Sequence, residues 1–498
     1  MWRGNQSSIS AESQLQIPHG AERSHINKSS RWITAKPHLK SLFTLLLTGR
    51  LRLIPQVETY PRVVAFAQTY AGRVALLCIF GLLLFPTKYP WQFMVVGTAA
   101  CAYAGQYRRW ALTAITLLFL GFQSYKLGNF TVLASVLAFS AGLTFLTCRF
   151  RQFLVFRWPV LSLHVLVMAL VMVAATGVLN GTAQGLLWPF LFALCGSFFF
   201  LAYALRDQGN KDRWPVLAQL GTIHPFWGGT STPFGKGAAY LRKVEAAYAD
   251  DLAITQIKAV KLLAWVYVLK AISVAFGYVS HDAMHIPFYQ DAFERHAAGM
   301  PYPWYLSSLA LITYFFEALM GLAIAGHMIV ACARMAGFRL LRNTYRPLAS
   351  RTIAEFWNRY YFYFKELLVE FYYYPTFFQC FKRHKRIRLL FATFMAAGVG
   401  NAFYHFIRDI EYVQSMGLLN AVAGYQTYLF YCVVLSAGIG LSQLRPRKDP
   451  ATMNAFRRHV LAPLGVATFF CILLIFSDED RQYSLAQHFS FLFHLFGG

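Results

Sequence analysis

Apolar runs about as long as a bilayer is thick, separated by basic connections, decide what this chain can fold into. A helix needs roughly 20 mainly apolar residues to cross a membrane. Inside lipid it must also pair its own backbone groups. About eleven stretches qualify: 72–88, 91–107, 110–125, 128–147, 158–179, 184–205, 261–280, 303–333, 387–407, 418–441 and 459–477. The predicted fold class is therefore all-α, a polytopic integral membrane protein with re-entrant or interfacial helices beside the spans.

Composition agrees. Hydrophobic residues make up 57% of the chain and charged residues 13%, where a soluble domain carries about 25% charged. Such a chain has too little polar surface unless lipid replaces water around much of it. The 17% of aromatic residues suits the same surroundings, since Tyr and Trp favour the membrane interface.

The charge pattern sets an orientation. Cytoplasmic connections are rich in Lys and Arg. Placing the N-terminus in the cytoplasm puts Arg108–Arg109, Arg149–Arg157, 206–260, 334–386 and 442–458 on that side. The opposite connection 180–183 has no Lys or Arg, and 408–417 has only Arg408. The formal charge of +25 is thus read as a topology signal and as contact with anionic lipid of the bilayer. It is not read as nucleic-acid binding, because the basic residues lie between apolar stretches and not along a helix face. The expected setting is a bacterial inner (cytoplasmic) membrane.

Residues 1–40 are polar and lack the apolar core of a signal peptide. They are expected to be a disordered cytoplasmic tail. Leu42–Ile54 is apolar but broken by Arg50 and Arg52, which suits an interfacial helix. The remainder, 41–498, is expected to be a single membrane domain. The eight cysteines contain no C-x-x-C pair and mostly lie in apolar runs, so neither a zinc site nor a disulfide framework is expected. Residues 353–379 are strongly aromatic yet carry Glu355, Arg359, Lys365, Glu366 and Glu370. That is too much charge to face lipid, so this stretch is expected to be buried in protein or to line a cavity.

An ordered set of short matches runs through the second half of the chain. It begins with Gly337-Phe338-Arg339, then Arg346-Pro347, then Glu355-Phe356-Trp357-Asn358-Arg359, then Tyr372-Tyr-Tyr-Pro375. Upstream lies His224-Pro225-Phe226, and downstream lies Gly400-Asn-Ala-Phe-Tyr404-His405. Together these resemble the membrane-bound O-acyltransferases, closest to the bacterial branch that acylates alginate and teichoic acids. The resemblance covers about 215–440. It implies an acyltransferase that moves an acyl group from a cytoplasmic thioester, acyl-CoA or an acyl carrier, to a hydroxyl acceptor on a glycan, lipid or metabolite. It also implies a possible accessory protein as partner and no cofactor.

Site residues follow from the same resemblance. His405 takes the place of the catalytic histidine. Tyr360-Tyr361 stand where the family has Trp-His, so Tyr361 occupies the second polar position and Asn358 lies beside it. His327 corresponds to an outer Asp of the family. The chemistry suits a histidine, since a hydroxyl must lose a proton as it attacks and a neutral imidazole can accept it. On the residues alone, a core histidine hydrogen-bonded to a neighbouring helix is the other reading, and the resemblance is what favours catalysis. An ionisable side chain deep in an apolar helix is also costly to keep. Arg359 and Trp357 are candidates for holding substrate, and Glu317 and His327, on one long span, for lining an acyl tunnel. Lys270 has two readings, snorkelling to the interface or pairing with Glu317.

His281-Asp282-Ala-Met-His285 places two imidazoles at a spacing that can bind metal on a helix. Without a clear third ligand it reads as a polar mouth to the cavity, and no metal is assigned. Two other function classes remain open. One is a catalytically altered family member acting as membrane scaffold or acyl conduit, suggested by the missing Trp-His. The other is a secondary transporter, suggested by helix number and Glu317.

Overall fold

Inside hydrocarbon only a helix pairs every backbone group within its own segment, and the apolar runs fold accordingly. In this computed structural model, residues 54–498 are described, apart from 180, 211–212, 230, 446–453, 479–480 and 498. The tail expected over 1–40 and nearly all of the helix expected over 42–54 lie outside the described residues. Extended pairing among the described residues is a single isolated antiparallel bridge, Glu245 with Phe338.

The protein is an all-α polytopic membrane protein. Among the described residues eight helices are long and apolar enough to span a bilayer, and a bent pair, Pro61–Gln68 with Tyr70–Leu84, makes up to nine. These account for the expected spans from 128–147 onward. The three earlier expectations change. The run 72–88 becomes the second arm of the bent pair, which turns by 93°. The run 91–107 yields only Trp91–Tyr103, 13 residues or about 20 Å at helical rise, too short to cross. The run 110–125 forms Arg108–Leu127, which is long enough but diluted by Arg, Lys, Gln, Ser and Thr. Arg108, expected in a cytoplasmic connection, starts that helix buried. Its guanidinium bonds Glu245 and the carbonyls of Cys101, Ala102 and Ala246.

Eight helices matter for the site: α1 (Pro159–Thr176), α2 (Thr182–Asp207), α3 (Ala249–Gly277), α4 (Trp304–Met335), α5 (Ile353–Tyr360), α6 (Phe362–Leu368), α7 (Asn401–Arg408) and α8 (Gln426–Leu444). The long pair α3 and α4 packs side by side. The largest apolar core gathers residues of α1, α2, α4, α5, α6, α7 and α8.

The charged aromatic stretch 353–379 is not a span. It breaks into α5, α6, a π-turn at Val369–Tyr373 and the short helix Tyr374–Gln379. Phe356, Trp357, Tyr363, Phe364, Leu367 and Leu368 are buried, as a segment enclosed by protein requires. The break between α5 and α6 falls at Tyr361. The preceding segment stitches it, with the Asn343 carbonyl accepting from Phe362 N, Asn343 Oδ1 from Tyr363 N, and the Tyr360 carbonyl from Thr344 Oγ1.

Candidate functional site

α7 is the end of a longer span, Lys385–Arg408. Its upstream part is a π-turn, Phe394–Gly400. The extra residue per turn rotates the face that follows, and such turns are frequent at functional sites. Ala396, Ala397, Gly398 and Gly400 are buried there, which lets neighbouring elements approach closely. A Cβ on Gly400 would meet the Tyr372 ring at 2.6 Å.

On α7 the residues Asn401, Tyr404, His405 and Arg408 follow at three- and four-residue spacing, so they share one face. His405 is half-buried and flanked by three rings. Phe364 lies 6.1 Å away between centroids, Tyr404 5.1 Å and Tyr428 4.3 Å. Its Nε2 is 2.5 Å from Tyr428 Oη, and its buried Nδ1 has no hydrogen-bond partner. If Nε2 carries the proton and donates to Tyr428, Nδ1 keeps an open lone pair. A base needs that lone pair.

Tyr361 is joined to this face indirectly. Its Oη donates to Thr232 Oγ1 at 3.1 Å, and Thr232 Oγ1 lies 2.9 Å from Tyr404 Oη. The second polar position of the sequence signature thus reaches the residue next to His405, through the glycine-rich loop. The Trp357 ring is tilted against Phe364 at 5.8 Å and edge-on to Phe470 at 6.2 Å between centroids. The Phe364 ring lies between it and His405. Asn358 is half-buried and forms no side-chain hydrogen bond among the described residues. Arg359 Nη2 pairs with Glu355 Oε1 at 2.7 Å, one turn back on α5.

Glu317 and His327 belong to different places. Ten residues of helix separate them by about 15 Å. His327 is buried with an unpartnered Nδ1. Glu317 Oε1 lies 3.2 Å from His281 Nε2, whereas Lys270 sits over the Tyr267 ring. The candidate Lys270–Glu317 pair does not form, because His281 takes the carboxylate. Neither Glu317 nor His327 hydrogen-bonds His405. Glu317, His281, Asp282, His285, Asp291 and Tyr302 line a cavity of about 490 Å³, whose lining includes no residue that contacts His405. His281 Nδ1 faces the Ile286 carbonyl at 2.8 Å, and His285 has a positive φ of 53° outside any helix, so the two imidazoles do not share a helical face. Among the described residues no group of three or more His, Cys, Asp or Glu is placed to hold a metal ion.

A second polar centre lies outside the spans, where the glycine-rich loop meets α6. Lys236 Nζ is 2.5 Å from Glu366 Oε2 and 2.6 Å from Glu370 Oε1. Lys365 pairs with Glu366, and Arg206 with Glu370. Burial works against the Lys236 charge, but the two glutamates outweigh it and hold its pKa above the lysine value. Burial likewise works against the Glu366 charge, and Lys365 and Lys236 outweigh it, holding that carboxyl below its usual range.

Reasoning from the sequence missed Tyr428, Phe364, Thr232 and Asn401. Tyr428 left a signal, since Tyr425, Tyr428 and Tyr431 recur every three residues and a phenol in a span usually seeks a polar partner. Thr232 and Phe364 left none, because their roles depend on tertiary packing.

No family profile matches this chain, and no curated protein matches it.

Proposed function

We propose that the protein is a membrane-bound O-acyltransferase that moves an acyl group from a cytoplasmic thioester to a hydroxyl acceptor. The observation that carries this reading is His405. Half-buried among aromatic rings, it is tied at Nε2 to Tyr428, and its Nδ1 is buried and unpartnered; it lies beside the residues that carry the family resemblance. In the reaction Nδ1 takes the acceptor's proton as its oxygen attacks the thioester carbonyl. A C–O bond forms and the carbonyl electron pair moves onto oxygen. Collapse of that intermediate breaks the C–S bond, and the leaving thiolate takes the proton from the imidazolium. Tyr428 holds the ring. The buried rings around it keep water from competing for the acyl group. The basic connections suit an anionic donor such as acyl-CoA.

The test uses the full chain in nanodiscs with radiolabelled acetyl-CoA and, separately, palmitoyl-CoA. Thiol release is followed, together with transfer of label into lipid, glycan and small-molecule fractions of a membrane extract. Transfer by the native chain and its loss in a folded His405→Ala variant are expected. Equal transfer by His405→Ala would sink this assignment. Absence of transfer by the native chain with any donor would favour a scaffold or acyl conduit.

A further inference from the structure

Asn401 lies one helical turn before His405 on the same face of α7. It is 1% exposed. Its Nδ2 and its Oδ1 are both buried without a hydrogen-bond partner. Among the described residues it is the one amide side chain for which both atoms are in that position. A buried amide without partners costs on the order of 1–3 kcal/mol. A leucine, of the same branched shape, would avoid that cost.

The surroundings do not supply a structural reason for an amide. The adjacent Ala402 carbonyl is already taken by Tyr425 Oη. Tyr404 Oη is taken by Thr232, and His405 Nε2 by Tyr428. Two groups on this face then remain open, the Asn401 amide and His405 Nδ1. The π-turn ends at Gly400, so the turn that sets the facing of α7 sets both groups together.

We infer that Asn401 binds the reacting acyl carbonyl through Nδ2, with His405 Nδ1 one turn along taking the proton of the attacking hydroxyl. This rests on the acyl-transfer reading. The amide's N–H groups meet the oxygen on which charge develops as the C–O bond forms, and release it when the C–S bond breaks. Donors aimed at such an oxygen are worth most where water is excluded.

The experiment compares the native chain, Asn401→Leu and Asn401→Asp in nanodiscs, with acetyl-CoA and palmitoyl-CoA as probes. Thiol release and thermal unfolding are both measured. Asn401→Leu is expected to lose about 10²–10³-fold in kcat with KM changed little, and to unfold at the native temperature or higher. Asn401→Asp, which removes the donor and adds negative charge, is expected to lose at least as much. Native kcat in Asn401→Leu, beside loss in His405→Ala, would overturn the role of Asn401 and leave acyl transfer standing. A large drop in unfolding temperature for Asn401→Leu would mark the amide as structural and overturn the inference. A native chain that releases no thiol from either donor would overturn both readings together.

Discussion

Tyr428 Oη lies 2.5 Å from His405 Nε2, a hydrogen bond between α8 and α7 inside the largest apolar core. An imidazole has one proton in its neutral form, so a partner at one nitrogen governs which tautomer is held. Tyr428 belongs to a ladder with Tyr425 at 5.5 Å and Tyr431 at 5.1 Å between ring centroids. The ladder fixes the phenol, and the phenol fixes the ring.

Tyr428→Phe removes that bond and keeps the ring. A hydrogen bond of this kind is worth about 1 kcal/mol net, or roughly fivefold in rate. Turnover is expected to fall by about five- to tenfold, well short of the loss in His405→Ala, with little effect on KM. Steady-state kinetics on both variants check this. Unchanged kcat in Tyr428→Phe would show that the phenol does not position the base.

Tyr361→Phe addresses the position where the sequence departs from the family it resembles. Tyr361 Oη bonds Thr232 Oγ1, so its deletion loosens the glycine-rich loop before it disturbs His405. Stability is expected to fall by about 1 kcal/mol, with a smaller loss of turnover than in Tyr428→Phe. A greater loss than in Tyr428→Phe, with unfolding unchanged, would place Tyr361 at the chemistry instead.

Legibility in the sequence followed range. The helices from Phe130 onward could be read because bilayer thickness fixes length and composition together, which is local information. The bent pair at Pro61–Leu84 was harder: its 93° turn falls at Thr69, whose hydroxyl caps the second arm by accepting from Gly72 N, a short signal inside a long apolar run. At the site, His405 stood out as an ionisable residue in an apolar run, and 353–379 as a stretch too charged for lipid. The Tyr361–Thr232–Tyr404 chain could not be read. It joins residues 129 and 172 positions apart, and nothing in a single sequence encodes that pairing. Lys270, on a neighbouring span, is one candidate partner for Glu317. The π-turn at Tyr278–Ala283 carries His281 back to it first.

The Lys236 cluster makes a stability prediction. Removing one member of a buried ion pair strands its partners, at about 3–5 kcal/mol. Lys236→Met should fall at the low end, because Lys365 and Arg206 still oppose Glu366 and Glu370. Lys236→Met with Glu366→Gln should recover part of the loss. The pH dependence has a definite sign. Glu366 is held below its ordinary 4.5, so its contribution is present above that pH and is lost as pH falls through the lowered value. Lys236 is held above its ordinary 10.5, so its contribution is complete below that pH and is lost as pH rises through the raised value. The expected difference between native and Lys236→Met is therefore flat across neutral pH and shrinks at both extremes. A difference that changes mainly between pH 6 and 8 would assign the linkage to other groups.

Gly400 tests whether the close approach at the π-turn serves the site. An added Cβ would lie 2.6 Å from Tyr372 Cδ2 and 2.7 Å from its Cγ. The Tyr372 ring cannot simply swing away, since its Oη is 2.8 Å from His164 Nε2, and His164 Nδ1 is held 2.7 Å from the Val160 carbonyl. Helix propensity favours alanine over glycine by about 1 kcal/mol, and overpacking opposes it by about 1–3 kcal/mol. Gly400→Ala is therefore expected to be destabilised by up to about 2 kcal/mol. Turnover should fall with it, because the next residues on that backbone are Asn401 and His405. Gly465, where an added Cβ meets nothing within 4 Å, is the control. Gly465→Ala should unfold at the native temperature or slightly above and keep native turnover. Matching unfolding temperatures and turnover in the two alanine variants would mean that Tyr372 yields to the new methyl, and that the facing of α7 does not depend on the glycine.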